Sequence, residues 1–107
     1  MKNTHPAEVA ARLPEVASGA LVLLDVREPW EFQTCRIEHS LLVPMREVPA
    51  RLAELDPKAE TVVICHHGGR SMQVAMFLEK QGFTNVQNLA GGVDAWARMV
   101  DPAMPVY

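Results

Sequence analysis

Cys65 is followed by His66, His67, Gly68, Gly69, Arg70 and Ser71. A cysteine separated by four residues from an Arg-Ser pair, with adjacent glycines between them, suits an anion site built around sulfur. The glycines let the backbone curl with its N–H groups turned inward. A helix opening at Ser71 adds the positive end of its dipole. At the bottom of that ring, amides, dipole and Arg70 together favour the thiolate of Cys65 over the thiol. The thiolate is the nucleophile, so this placement activates it without a separate general base. A merely structural cysteine at a strand end requires neither the Gly-Gly pair nor an arginine at the helix start.

The residues around this loop divide into roles. Arg70 offers a fork of donors shaped for an anionic substrate; pairing with an acid to brace the loop is the second reading. Asp25 and Arg27 are expected to form an ordering ion pair at a neighbouring strand end. The backbone N–H groups of His66 and His67 serve the ring while their imidazoles line its rim. No acid stands near them in sequence at ligand spacing, so no metal is expected. Cys35 reads as an incidental loop thiol, and Trp30 and Trp96 as packing anchors. Gly91 and Gly92 shape the entry to a last helix beneath the loop.

These side chains need a scaffold that brings strand ends together. Leu21–Val26 and Thr61–Ile64 are continuous apolar runs, as expected of strands covered on both faces in a parallel sheet. Leu41–Val43 and Asn85–Asn88 are shorter strand candidates. Between them lie helical spacings: Pro6 followed by Val9, Leu13 and Val16; Glu47–Leu55; Ser71–Gln81, capped by Gly82; and Val93–Met99, stopped before Pro102 and Pro105. Alternating strands and helices define an α/β domain with a mainly parallel central sheet and helices on both faces. Ligands in such sheets sit beyond the carboxyl ends of the strands, where Cys65 falls.

The chain has 107 residues and a formal charge of −3, room for one domain over 1–107. Without a run of Lys or Arg, nucleic acid and anionic membranes are not expected partners. No apolar run approaches the roughly 20 residues of a spanning helix. The polar start lacks a secretory pattern, which makes the cytoplasm the expected compartment. Two cysteines in 107 residues are no disulfide scaffold.

Three segments resemble one family. Cys65-x-x-x-x-Arg70-Ser71 after an apolar strand resembles the active loop of single-domain rhodanese-like sulfurtransferases. Asp25-x-Arg27-Glu28 followed by Trp30-Glu31-Phe32 is similar to a second family segment. Gly82-Phe83-x-Asn85-Val86 with Asn88-Leu89-x-Gly91-Gly92-x-x-Ala95-Trp96 is similar to the C-terminal signature. The resemblance implies the rhodanese-like fold and transfer of sulfane sulfur through a Cys65 persulfide. The donor would be a small molecule such as thiosulfate, and the acceptor cyanide or a thiol, including a protein thiol. No metal or organic cofactor is implied. Two other activities share the fold: a rhodanese-like phosphatase or arsenate reductase, whose loop is one residue longer, and a non-catalytic binding module. One segment departs from the pattern. Where the family has Gly-His-Ile-Pro-Gly-Ala, this chain has Cys35-Arg36-Ile37-Glu38-His39-Ser40, and a differently shaped turn is expected.

Overall fold

The two apolar runs form the middle of the sheet in a computed structural model that describes residues 1–107. They become β2 (Leu21–Asp25) and β4 (Glu60–Ile64), paired in parallel with Leu23 opposite Val62 and Asp25 opposite Ile64. Around them lie β1 (Lys2–Thr4), β3 (Leu41–Leu42) and β5 (Val86–Leu89), in the order β1-β5-β4-β2-β3 with every pairing parallel.

Alternate side chains of the central strands enter separate cores, which is why both runs are apolar throughout. Leu21, Leu23, Val62 and Ile64 face a core with Val9, Val16, Val93, Trp96 and Ala97. These come from α1 (Pro6–Ala10), α2 (Leu13–Ser18) and α5 (Gly92–Met99). Leu24, Val63 and Cys65 face the other core, with Val74, Ala75 and Leu78 of α4 (Gly69–Lys80). Helices therefore cover both faces, as the alternation of elements predicts. No helix is long and apolar enough to cross a membrane.

Several elements differ from expectation, each for a local reason. The spacing from Pro6 to Val16 breaks into α1 and α2 because Pro14 has no N–H to donate to Ala10. The expected helix Glu47–Leu55 is instead a pair of 3-10 segments, Met45–Glu47 and Pro49–Glu54, with Pro49 interrupting the ladder in the same way. A helix α3 (Pro29–Thr34) was not anticipated; its capping box, Glu28 with Glu31 at the third helical position and Pro29 at the first, was in the sequence. Strand β1 has no apolar run to mark it in the sequence, being a short, mostly polar edge.

Trp30 is not a packing anchor. In the first turn of α3 it is 60 % exposed, whereas Trp96 is 3 % exposed. The buried position on α3 is Glu31, so the inward stripe is polar and the tryptophan lies outside it. The segment 35–40 turns through His39. His39, where the family pattern has its second glycine, takes φ 67°, the left-handed conformation that glycine favours.

Candidate active site

Cys65 follows β4 directly and α4 opens at Gly69. The loop between them is held from behind. Val93 N donates to Cys65 O at 2.9 Å and Asp94 N to His66 O at 3.0 Å. The free amides at the start of α5 thus take up two loop carbonyls. Gly91 and Gly92 permit this docking, both at positive φ (76° and 60°). A Cβ on Gly92 would lie 2.4 Å from both Cys65 O and His66 O. Gly68, at φ 106°, makes the sharp bend.

In the resulting cup Gly68 N donates to Cys65 Sγ at 3.0 Å, and Ser71 Oγ lies 3.3 Å from it. Cys65 is 1 % exposed, so the sulfur sits at the bottom. Gly69, Arg70 and Ser71 form the first turn of α4, and the helical ladder begins with Met72 N donating to Gly68 O. Their amides have no acceptor within the helix. Asn88, legible in the sequence only as the end of a short strand candidate and as part of the C-terminal signature, has a role at the site. It is buried on β5, its Oδ1 accepts from Ser71 Oγ, and its Nδ2 donates to Asn3 Oδ1 at 3.0 Å. A polar chain therefore reaches Cys65 through Ser71 from both β5 and β1.

Asp25 and Arg27 are both fully buried and pair as expected. Arg27 Nη2 donates to Asp25 Oδ2 at 2.7 Å, and Nε donates to Asp25 Oδ1 at 3.0 Å. The same guanidinium donates to Cys35 O at 2.6 Å, Glu31 O at 3.2 Å and Tyr107 Oη at 2.9 Å. Burial works against its charge, but the Asp25 carboxylate outweighs that and raises its pKa.

Arg70 is paired. Its Nη1 and Nη2 donate to Glu31 Oε1 and Oε2 at 2.7 and 2.9 Å, a bidentate contact across the strand ends. Of its two readings from sequence, the geometry displays the acid partner. Glu31 also accepts from Glu28 N at 2.9 Å and from Tyr107 Oη at 2.8 Å. Mainly through Arg70, and against its burial, its carboxyl is held down at about 2. Tyr107 lies nearly parallel to His66, with ring centroids 3.9 Å apart. Burial and the Glu31 contact push its phenol up to about 12. Sequence reasoning gave no role to Tyr107 and saw Glu31 only within a motif. Their partners lie too far along the chain for spacing to reveal.

His66 and His67 line the rim with their rings tilted 36° to each other and centroids 3.9 Å apart. Burial first, then His67, lowers the pKa of His66. Contrary to expectation an acid does join them. Asp94 of α5 brings a carboxylate oxygen within 4.8 Å of a nitrogen on each ring. Asp94 is also engaged by Arg98 at 3.0 Å.

Cys35 belongs to the core on the opposite face of the sheet from Cys65, and both thiols are free. A disulfide between them would have to pass through the sheet.

The depressed carboxyls imply an acid limit. Glu31 and Glu60 both lie at about 2 against an ordinary 4.5, chiefly through Arg70 and Arg12 respectively. A lowered folded-state pKa contributes stability that is complete above the unfolded value and disappears as pH falls through the folded one. The thermal midpoint should therefore drop as pH is lowered from 4.5 to 2. Calorimetry across that interval checks this, and a flat profile contradicts it.

Comparison with known proteins agrees with the fold. Residues 5–99 match the rhodanese-like domain family. Over 78 residues the chain is 38 % identical to a protein of Allochromatium vinosum named sulfurtransferase, covering 73 % of each. It is 42 % identical over 89 residues to the rhodanese-like/PpiC domain-containing protein 12 of Arabidopsis thaliana. That match covers 79 % of this chain but 30 % of the plant protein. A rhodanese-related protein from Thermoplasma volcanium superposes with a TM-score of 0.81 at 28 % identity, covering 100 % of this chain and 98 % of the other. With its signature segments gathered at one end of a parallel sheet, the chain belongs to the rhodanese-like domain family.

Proposed function

We propose that this rhodanese-like unit, spanning residues 1–107, is a cytoplasmic sulfurtransferase that carries sulfane sulfur on Cys65. The observation that carries the reading is the convergence of Gly68 N and Ser71 Oγ on Cys65 Sγ at the start of α4. The name of the Allochromatium relative points the same way. In the loading step the Cys65 thiolate attacks the outer sulfur of a donor such as thiosulfate. A new S–S bond forms, the donor's S–S bond breaks, and its electron pair leaves on sulfite. The outer sulfur of Cys65–S–S⁻ is then itself anionic and suits the free amides at the start of α4. In the second step a thiolate or cyanide attacks that outer sulfur, and the electron pair returns to Cys65. No net oxidation occurs and no cofactor is called for.

Mass spectrometry of the intact chain after thiosulfate tests this. A gain of one sulfur on the peptide containing Cys65 is expected. An unmodified peptide would favour a binding module, and phosphate-ester turnover requiring Cys65 would favour a phosphatase.

The loop's support from α5 predicts a second outcome. In Gly92→Ala the added Cβ meets two backbone oxygens, which flexible side chains cannot relieve. The variant should lose about 1–3 kcal/mol of stability. Its sulfur transfer should fall at least about tenfold, because a displacement near 1 Å at a reacting group is that costly. Denaturation and turnover measured together check this; wild-type values for both would contradict the docking account.

A further inference from the structure

The cation best placed to attract a donor is already matched by a carboxylate. Arg70 is the arginine of the Cys65 loop, and both of its terminal nitrogens lie on Glu31. The two sides of this pair differ in freedom. Glu31 is 3 % exposed and fixed by Glu28 N and Tyr107 Oη, whereas the Arg70 side chain is 37 % exposed. With its carboxyl at about 2, Glu31 is ionised at any working pH. Neighbouring arginines are matched in the same way: Arg27 by Asp25, Arg46 by Glu28 and Arg98 by Asp94. Arg36 lies over the Phe32 ring. The chain as a whole carries −3. A dianion approaching this rim meets local dipoles and amides but little net positive charge, and that charge would set its steering.

We propose that Glu31 is a specificity-determining residue: by neutralising Arg70 it biases the loading of Cys65 toward sulfane-sulfur donors with at most one negative charge, thiol persulfides, over the thiosulfate dianion. This rests on the reading of Cys65 as the sulfur carrier. Loading from a persulfide balances as the thiosulfate step does. Cys65–S⁻ attacks the outer sulfur of R–S–SH, that S–S bond breaks, and R–S⁻ leaves with the electron pair, giving Cys65–S–SH.

The test compares two probes, thiosulfate and the persulfide of 2-mercaptoethanol, whose organic part is uncharged. Rates of Cys65 persulfide formation are measured by quenched mass spectrometry for the full chain, Glu31→Gln, Arg70→Gln and the double variant. The readout is the ratio of thiosulfate rate to persulfide rate. Charge at the pair is zero in the wild type and the double variant, positive in Glu31→Gln and negative in Arg70→Gln. The ratio should rise about tenfold in E31Q, fall about tenfold in R70Q and return to near the wild-type ratio in the double variant. The thiosulfate rate of E31Q should also fall as salt is added. An ion pair that only braces the loop would slow both probes alike and leave all ratios equal, which overturns the proposal. Should E31Q not fold, the comparison of R70Q with the double variant still decides it. A wild type that loads from neither probe overturns the reading of Cys65 itself.

Discussion

Replacing Cys65 by serine should reduce sulfane-sulfur transfer by about 10³-fold or more, the scale seen when a covalent nucleophile is removed. Serine can still accept the 3.0 Å hydrogen bond from Gly68 N and remain beside Ser71, so the fold and the loop should survive. What it cannot do is form the exchangeable S–S bond on which both steps depend. Thiocyanate formation from thiosulfate and cyanide is the direct measurement, with a thermal melt to show the variant is folded. Cys35→Ser serves as the matched control. Cys35 contributes to the other core and receives contacts from Arg27, so its loss should leave transfer intact. Equal turnover by Cys65→Ser and wild type would remove the basis of the proposed chemistry.

The parts of this site that sequence makes legible are those whose cause is local. An apolar run ending at a cysteine, adjacent glycines and a helix start can be read by inspection, and Cys65, Gly68 and Ser71 do converge. The charge state of the rim is of another kind. Arg70 meets Glu31 across 39 positions, and Tyr107 meets Glu31 across 76. The first contact exists only because β2 and β4 are adjacent in the sheet and α3 and α4 start from their ends, and the second because the segment after α5 returns to α3. Nothing in the spacing of Arg70 distinguishes a free guanidinium from a matched one. The errors have the same origin. Trp30 looks like core by residue type, yet the inward position on α3 was reserved for Glu31, the partner of Arg70. Asp94 approaches His66 and His67 only because α5 packs its first turn against the loop carbonyls.

Arg27→Met should be the most destabilising single change in the chain, at about 3–5 kcal/mol, because removing one member of a buried ion pair leaves the other charged without compensation. Asp25 and Arg27 are both 0 % exposed, so water cannot take over from the guanidinium. The carbonyl of Cys35 and the hydroxyl of Tyr107 also lose a donor. Against a typical domain stability of about 5–15 kcal/mol, the loss is large enough to read by urea denaturation. Adding Asp25→Leu to Arg27→Met should recover part of it, since a buried pair replaced by apolar residues no longer carries a lone charge. That recovery distinguishes the charge argument from loss of packing, which a second truncation would deepen. The pair persists in the fold because of what else Arg27 holds. Its grip on Cys35 O fixes the start of the segment 35–40, where the glycine of the family pattern is absent, and its contact with Tyr107 sets the phenol against Glu31. A single change at Arg27 with less than about 1 kcal/mol of effect would mean that neither the burial nor these contacts constrain the strand end.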